Sequence, residues 1–372
     1  MENKNLDIAY KALDLIRVCF EKPSEPPYIP DSTEYEPLYA VSKSLGITAL
    51  SAYALKKQGV IIPDYEIALA RAQQRSLLLD AEYKRISEKL TASNIRHVPV
   101  KGIVIKKLYP AVGLREMSDI DIWFDDSRAE DVRRIMTDFG YETVYFETSK
   151  HDVYIMPPRF CVEMHRRLVD DDVIPASLAY YREKWDTLTR DCGNGCESAL
   201  SHEDTYVYEI VHAYKHYLIA GIGVRLLLDV RVMLDKWSDD LDMAYIEQEC
   251  RKLGVVDFEK LVRRISLRLF ERKSLSQEDT ERLDEFLSTS VHGSMKRYYA
   301  NAIDLCSNKR SYVFSRLKMT DKQLEGHPVL IRHRSLRPLY FPVRLAKALI
   351  ERPKLLRTEI KTLYRHKNNG DK

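Results

Sequence analysis

Cysteine is sparse in this chain, with six in 372 residues, which argues against the disulfide framework of a small secreted domain. No apolar run reaches the ~18 residues that a membrane-spanning helix needs. Internal repeats and low-complexity tracts are absent as well, which excludes solenoids and repetitive linkers. The opening Met1-Glu2-Asn3-Lys4-Asn5-Leu6-Asp7 carries acids and leads into an amphipathic helix, unlike a secretory signal. A cytoplasmic location is the default expectation. With 45% hydrophobic and 31% charged residues, the composition is that of an ordinary globular protein.

Charge is distributed unevenly. Residues 329–372 hold twelve Lys and Arg against three acids, so roughly +9, while the whole chain carries +3. Leu345, Leu349, Leu355, Leu356, Ile360 and Leu363 interleave with those bases at helical spacing. Such a basic amphipathic helix covers a groove of its own protein, lies on an anionic membrane surface, or touches RNA.

Sequence punctuation divides the chain into four parts: an N-terminal helical region (1–94), a core rich in strand patterns (95–190), a second helical region (191–328) and the basic tail (329–372). Residues 5–20 form an apolar-faced helix, followed by a connector holding Pro23, Pro26, Pro27, Pro30 and Pro37. Helices follow from Leu38, break near Gly59 and restart at Pro63-Asp64, with a long helix over Tyr65 to Leu90. In the core, residues 95–100 read as a strand, Lys101-Gly102 as a turn, and Ile103 to Tyr109 as a short helix. Ser127 is the expected cap of a helix through 129–136 that stops at Gly140. Tyr141 to Phe146, His151 to Met156 and Phe160 to His165 alternate as strands, the last carrying Glu163 between Val162 and Met164. The fold class is α+β: a small mixed β-sheet core with flanking helices, between N-terminal and C-terminal helical regions.

Three constellations carry chemistry. In Met117-Ser118-Asp119-Ile120-Asp121-Ile122-Trp123, strand alternation turns Asp119 and Asp121 to one face and Ile120 and Ile122 to the other. Two carboxylates so placed repel each other, and a divalent cation is their natural partner. Cys192-Gly193-Asn194-Gly195-Cys196, with His202 nearby, lacks the second ligand pair of a structural zinc site and reads as a hairpin tip or exposed turn. His212 and His216, four apart on one helix face, lack the Glu of hydrolytic zinc helices and read mainly as packing or hydrogen-bonding residues. That helix starts at Ser201 in a capping-box-like pattern with Asp204.

Strand, glycine turn, helix, a strand with Asp-x-Asp and a later strand with one acid together resemble the catalytic core of the DNA polymerase beta-like nucleotidyltransferase superfamily. A closer likeness is to a bacterial family of uncharacterised nucleotidyltransferases. Val100-Lys101-Gly102, Leu108-Tyr109-Pro110, Gly113-Leu114-Arg115, Ser118-Asp119-Ile120-Asp121-Ile122, Val162-Glu163-Met164-His165, His212, Lys215-His216 and Leu226-Leu227-Leu228-Asp229-Val230 carry it, over roughly residues 38–240.

The resemblance implies that Asp119, Asp121 and Glu163 bind Mg²⁺ (or Mn²⁺) and catalyse transfer of a nucleoside monophosphate from a nucleoside triphosphate to an acceptor hydroxyl. Two such ions about 4 Å apart serve related phosphoryl-transfer sites. The acceptor is open among sugar, metabolite, protein and RNA. A toxin-like enzyme modifying tRNA and a non-catalytic nucleotide-binding scaffold are the alternatives. Lys101, Gly102, Arg115 and Ser118 are candidates for nucleotide binding. The turn departs from the Gly-Ser or Gly-Gly usual in the superfamily, and the gap to Asp119 is longer. Lys101 either adds charge at the phosphates or is a solvated turn lysine; Ser118 either reaches a phosphate or satisfies the strand end. The same likeness suggests that His212, Lys215, His216, Arg225 and Asp229 face the cleft. For Asp229 the competing expectation is a buried salt bridge to a nearby Arg such as Arg225, one helical turn away.

Overall fold

Helices α1 (Glu2–Arg17), α2 (Tyr35–Leu45), α3 (Thr48–Lys57) and α4 (Pro63–Ala92) precede the sheet. The computed structural model describes residues 2–20, 28–147, 150–169, 174–190, 195–289, 295–306, 309–317, 340, 342, 349 and 352–365. α2 ends where Gly46 takes φ 67° and the Ile47 amide donates to the Ser42 carbonyl at 2.9 Å. That left-handed cap splits two helices whose patterns otherwise run together. α4 starts with Pro63, and Asp64 and Glu66 lie in its first turn, where a missing amide is harmless and negative charge favours the helix dipole. Its 30 residues span roughly 45 Å.

The core sheet contains β1 (His97–Val100), β2 (Ile120–Phe124), β3 (Glu142–Tyr145), β4 (His151–Met156) and β5 (Phe160–His165), in the order β1-β2-β5-β4-β3. β2 and β5 are parallel and the other neighbours antiparallel, so the α+β class with a mixed sheet holds. Between β1 and β2 lie α5 (Gly102–Ile105) and a 3-10 turn over Lys106–Leu108. Gly113, at φ +85°, passes so close to α4 that a Cβ would come within 2.6 Å of the Gln73 amide nitrogen. Glycine is therefore required there.

Alternation along the strands divides the sheet chemically. Ile120, Ile122, Phe124, Val162 and Met164 point into one core with Leu79, Ile86 and Leu90 of α4 and with Val132, Ile135 and Met136 of α6 (Ala129–Asp138). Each such side chain contributes roughly 1.5–3 kcal/mol by leaving water. Asp121, Trp123, Glu163 and His165 therefore take the other face. There Trp123 packs against Tyr181 and Trp185 of α7 (Ser177–Thr187), with ring centroids at 6.5 and 4.6 Å. Tyr181 meets Tyr208 of the next long helix edge-on at 5.7 Å.

One expected cap is corrected. α6 is entered through a 3-10 turn over Asp126–Arg128, where Asp125 accepts from the Ser127 amide at 3.1 Å and from the Ser127 hydroxyl at 2.6 Å. A carboxylate is the stronger acceptor, so Ser127 donates rather than caps. At the start of the long helix His202–Ala220 the Asp204 amide does donate to Ser201 Oγ, at 3.0 Å.

The chain divides into two compact units, 1–215 with 223–291 and 216–222 with 292–372. In the first, the sheet is joined by α7, a short hairpin of Thr189–Arg190 with Ser198–Ala199, and α8 (His202–Ala220), which continues into the second unit. α9 (Arg225–Lys236), α10 (Met243–Lys252), α11 (Val256–Phe270) and α12 (Gln277–Leu287) complete the first unit. In the second, the helix Pro353–Arg365 packs on the helix Met295–Leu305. Thr362 is buried there, Tyr312 donates to Glu359 at 2.6 Å, and Ile360 and Tyr364 stay exposed. Leu345 and residues 329–339 of the basic tail, like Cys192-Gly193-Asn194, lie outside the described residues. Among the described residues no helix is long and apolar enough to cross a membrane.

Candidate metal centre

Parallel pairing sets Asp121 of β2 directly opposite Glu163 of β5. Asp119, half-buried, immediately precedes β2. One carboxylate oxygen from each of Asp119, Asp121 and Glu163 lies within 4.8 Å of the others. Ligands on opposite sides of an ion bound at about 2.1–2.4 Å stand roughly that far apart, so an all-oxygen set with this spread fits a hard divalent cation.

Lys101 reaches two members of this group. Its Nζ is 2.5 Å from Asp121 Oδ1 and 3.8 Å from Glu163 Oε2. To reach there its backbone adopts φ 56° and ψ −128°, the first central position of a type II′ turn, which favours glycine. A side-chain-bearing residue in such a conformation costs about 1–3 kcal/mol and persists where surrounding structure compels it. His165, wholly buried, brings Nε2 to 2.8 Å from Asp121 Oδ1 and 3.5 Å from Glu163 Oε2.

The electrostatics follow from these contacts. Burial alone would raise Asp121, but the Lys101 ammonium and the bond to His165 hold it well below the usual carboxylate range. Glu163 shows the same opposition of burial against His165 and Lys101, with a net lowering. Among the described residues Asp119 has no such close basic partner, and burial together with the Asp121 charge raises it. Burial opposes the charge on Lys101, yet Asp121 and Glu163 keep it raised above its ordinary value. His151, at the start of β4, is pushed down to about 4 by burial.

The remaining predicted residues are distributed as follows. Gly102 opens α5, and a Cβ there would come within 2.6 Å of the Arg115 guanidinium. Arg115 is buried and makes two bonds to Asp229, Nε to Oδ1 at 2.8 Å and Nη2 to Oδ2 at 2.9 Å, while Tyr109 donates to the same carboxylate at 2.7 Å. The salt bridge anticipated for Asp229 therefore exists with Arg115 instead of Arg225, whose Nη1 donates to the Glu116 carbonyl at 3.2 Å. The fork of Arg115 matches a carboxylate bidentately, which outcompetes a pair along one helix. Ser118 is exposed beside Asp119, its carbonyl accepting from Arg75 of α4 at 2.7 Å. His212 and Lys215 belong to the first unit and His216 to the second. Among the described residues His212, His216, Cys196 and His202 join no group of three metal donors.

Some site residues escape the sequence patterns. Tyr208 and Glu209 on α8 are buried, and the Asp121 and Glu163 charges act on Tyr208. Glu209 is pushed up to about 7 by burial and by the Asp229 charge, against Arg115, Arg225 and Lys101. Its signal is a lone acid inside the apolar run Tyr206 to Val211. His151 lies opposite His165 in the β4–β5 hairpin, a register fixed by Met156 pairing with Phe160 around the three-residue loop 157–159.

Comparison with curated proteins and with solved structures finds no match. A family model described as an uncharacterised nucleotidyltransferase matches residues 31–271. That span exceeds half of the 372 residues and contains all three clustered carboxylates, and the chain belongs to the uncharacterised nucleotidyltransferase family.

Proposed function

We propose that this protein transfers a nucleoside monophosphate from a nucleoside triphosphate to an acceptor hydroxyl and releases pyrophosphate. The observation that carries the proposal is the cluster of Asp119, Asp121 and Glu163 within 4.8 Å, in a chain of nucleotidyltransferase family. Asp119, Asp121 and Glu163 would hold Mg²⁺ or Mn²⁺. A bound ion supplies neutralisation of charge at the α-phosphate and acidifies the acceptor hydroxyl.

The chain's own residues do the rest. The acceptor oxygen forms a bond to the α-phosphorus as the bond to the β-phosphate oxygen breaks, and Glu163 is the base that takes up the acceptor proton. Ser118, exposed beside Asp119, and the turn at Lys101 and Gly102 face the triphosphate. Lys101 balances part of the acid charge and would turn toward a phosphate of the bound nucleotide. Arg115, held by Asp229, to which Tyr109 also donates, keeps the turn seated against Gly102. The acceptor enters from the end of β2, where Trp123, Tyr181, Trp185, Arg167 and Arg182 line a cavity.

Isothermal titration with each of the four common ribonucleoside triphosphates plus Mg²⁺ or Mn²⁺ tests the reading. Metal-dependent binding of at least one of them, weakened in Asp119→Asn, is the expected result. Absence of binding for all four overturns it.

A further inference from the structure

Glu163 belongs to two donor groups. Beside the all-oxygen triplet, a ring nitrogen of His151, a carboxylate oxygen of Glu163 and a ring nitrogen of His165 also lie within 4.8 Å of one another. Strand geometry builds this second group. Glu163 and His165 are two apart on β5 and share a face, and antiparallel pairing sets His151 opposite His165. His151 Nε2 is 3.8 Å from Glu163 Oε2, His165 Nε2 is 3.5 Å from the same oxygen, and the two rings are 5.0 Å apart between centroids.

The space between these donors already attracts positive charge. Lys101 Nζ stands 3.4 Å from His165 Nε2 and 3.8 Å from Glu163 Oε2. One ammonium there faces three carboxylates, which leaves room in the charge balance for a divalent ion.

We propose that His151, Glu163 and His165 form a second, nitrogen-bearing metal position that shares Glu163 with the acid triplet and takes an ion that accepts imidazole, of the Zn²⁺, Co²⁺ or Fe²⁺ class. Two imidazoles and one carboxylate are the donor set of open zinc and non-haem iron sites, whereas Mg²⁺ prefers oxygen alone. The centre is therefore a pair of chemically unequal positions bridged by one carboxylate. To hold the ion, His165 would give up its bond to Asp121 and Lys101 would move aside. This inference rests on the acid triplet of the proposed function for its neighbour, but the position itself exists without nucleotide.

The test uses the full chain, stripped with chelator and titrated with Co²⁺ without nucleotide, with calorimetry to establish occupancy. Proton spectra in water then report histidine ring N–H signals shifted by the paramagnetic ion, and labelling of histidine with ¹⁵N identifies them without any substitution. Two such signals are expected in the unaltered protein and one in His151→Gln. Bound Co²⁺ with no shifted histidine N–H overturns the proposal, as does failure to bind Co²⁺ or retention of both signals in His151→Gln. Nucleotide binding that depends on Asp119, together with an oxygen-only Co²⁺ spectrum, removes this inference and leaves the proposed function standing. The reverse combination, two histidine signals with no nucleotide binding, retains the metal position and removes the proposed function.

Discussion

Asp121 and Glu163 face each other in register across two parallel strands, and the Lys101 ammonium lies within 4 Å of both. Two carboxylates held this way by a sheet cannot separate, so their repulsion is relieved by a cation, by hydrogen-bond donors or by protonation. Lys101 fills that role in the chain itself, at the expense of an unfavourable backbone conformation. The predictions below follow from that balance.

Among the described residues Asp119 is the carboxylate of the three without a close basic partner, and its pKa is raised by burial and by Asp121. Asp119→Asn removes a repelling charge and one metal ligand together. Divalent-ion affinity, measured by titration, should fall by at least the roughly 10- to 100-fold seen for groups one shell farther out. The melting temperature in chelator should hold or rise. A clear drop in melting temperature would mean that Asp119 is a structural residue.

Lys101→Met takes away the internal cation. In chelator the variant should melt below the parent, because Asp121 and Glu163 are left facing each other. Added Mn²⁺ should raise its melting temperature by more than it raises the parent's, since ligand binding stabilises in proportion to its affinity. Equal metal-induced shifts in the two proteins would show that Lys101 does not compete with the ion.

The Arg115–Asp229 pair is buried on both sides. Asp229→Ala leaves a buried guanidinium unpaired and should cost about 3–5 kcal/mol in urea unfolding. Arg115→Met combined with Asp229→Leu should recover much of that loss, because well-packed apolar residues often replace a buried ion pair at little cost. If the double variant is no better than Asp229→Ala, the pair has a role beyond charge compensation.

Glu209 gives a pH dependence of definite sign. Its folded pKa is pushed up to about 7 from an ordinary value of 4.5 by burial and by Asp229. The fold thus favours the protonated carboxyl, and the stability this contributes is complete below the unfolded value and lost as pH rises through the folded one. Glu209→Gln should therefore match the parent near pH 4.5 and be the more stable at pH 8, by about 3 kcal/mol. Denaturant unfolding at the two pH values checks this, and a variant less stable at pH 8 would contradict it.

Much of the core was legible from residue order. Apolar residues at alternate positions in β2 and β5 pointed Asp121 and Glu163 to the face opposite Ile120, Ile122, Val162 and Met164, and Pro63 and Gly140 marked helix ends. What escaped depended on contacts far apart in the chain. The partner of Asp229 is 114 positions away at Arg115, and local spacing favoured Arg225 instead. Arg75 holds the Ser118 carbonyl from 43 positions away on α4. The ammonium of Lys101 could be placed at a turn, but its swing onto Asp121 requires a backbone conformation that lysine rarely adopts. Strand registers that were countable from a hairpin, such as His151 opposite His165, lay within reach of the sequence.

The most direct test of the account supplies the purified full chain with each α-³²P-labelled ribonucleoside triphosphate, a divalent cation and a cell extract. Label is then sought in protein, RNA and small molecules. The account predicts metal-dependent transfer of label to one acceptor class with release of pyrophosphate, abolished by Asp119→Asn. Undiminished transfer by Asp119→Asn would contradict it.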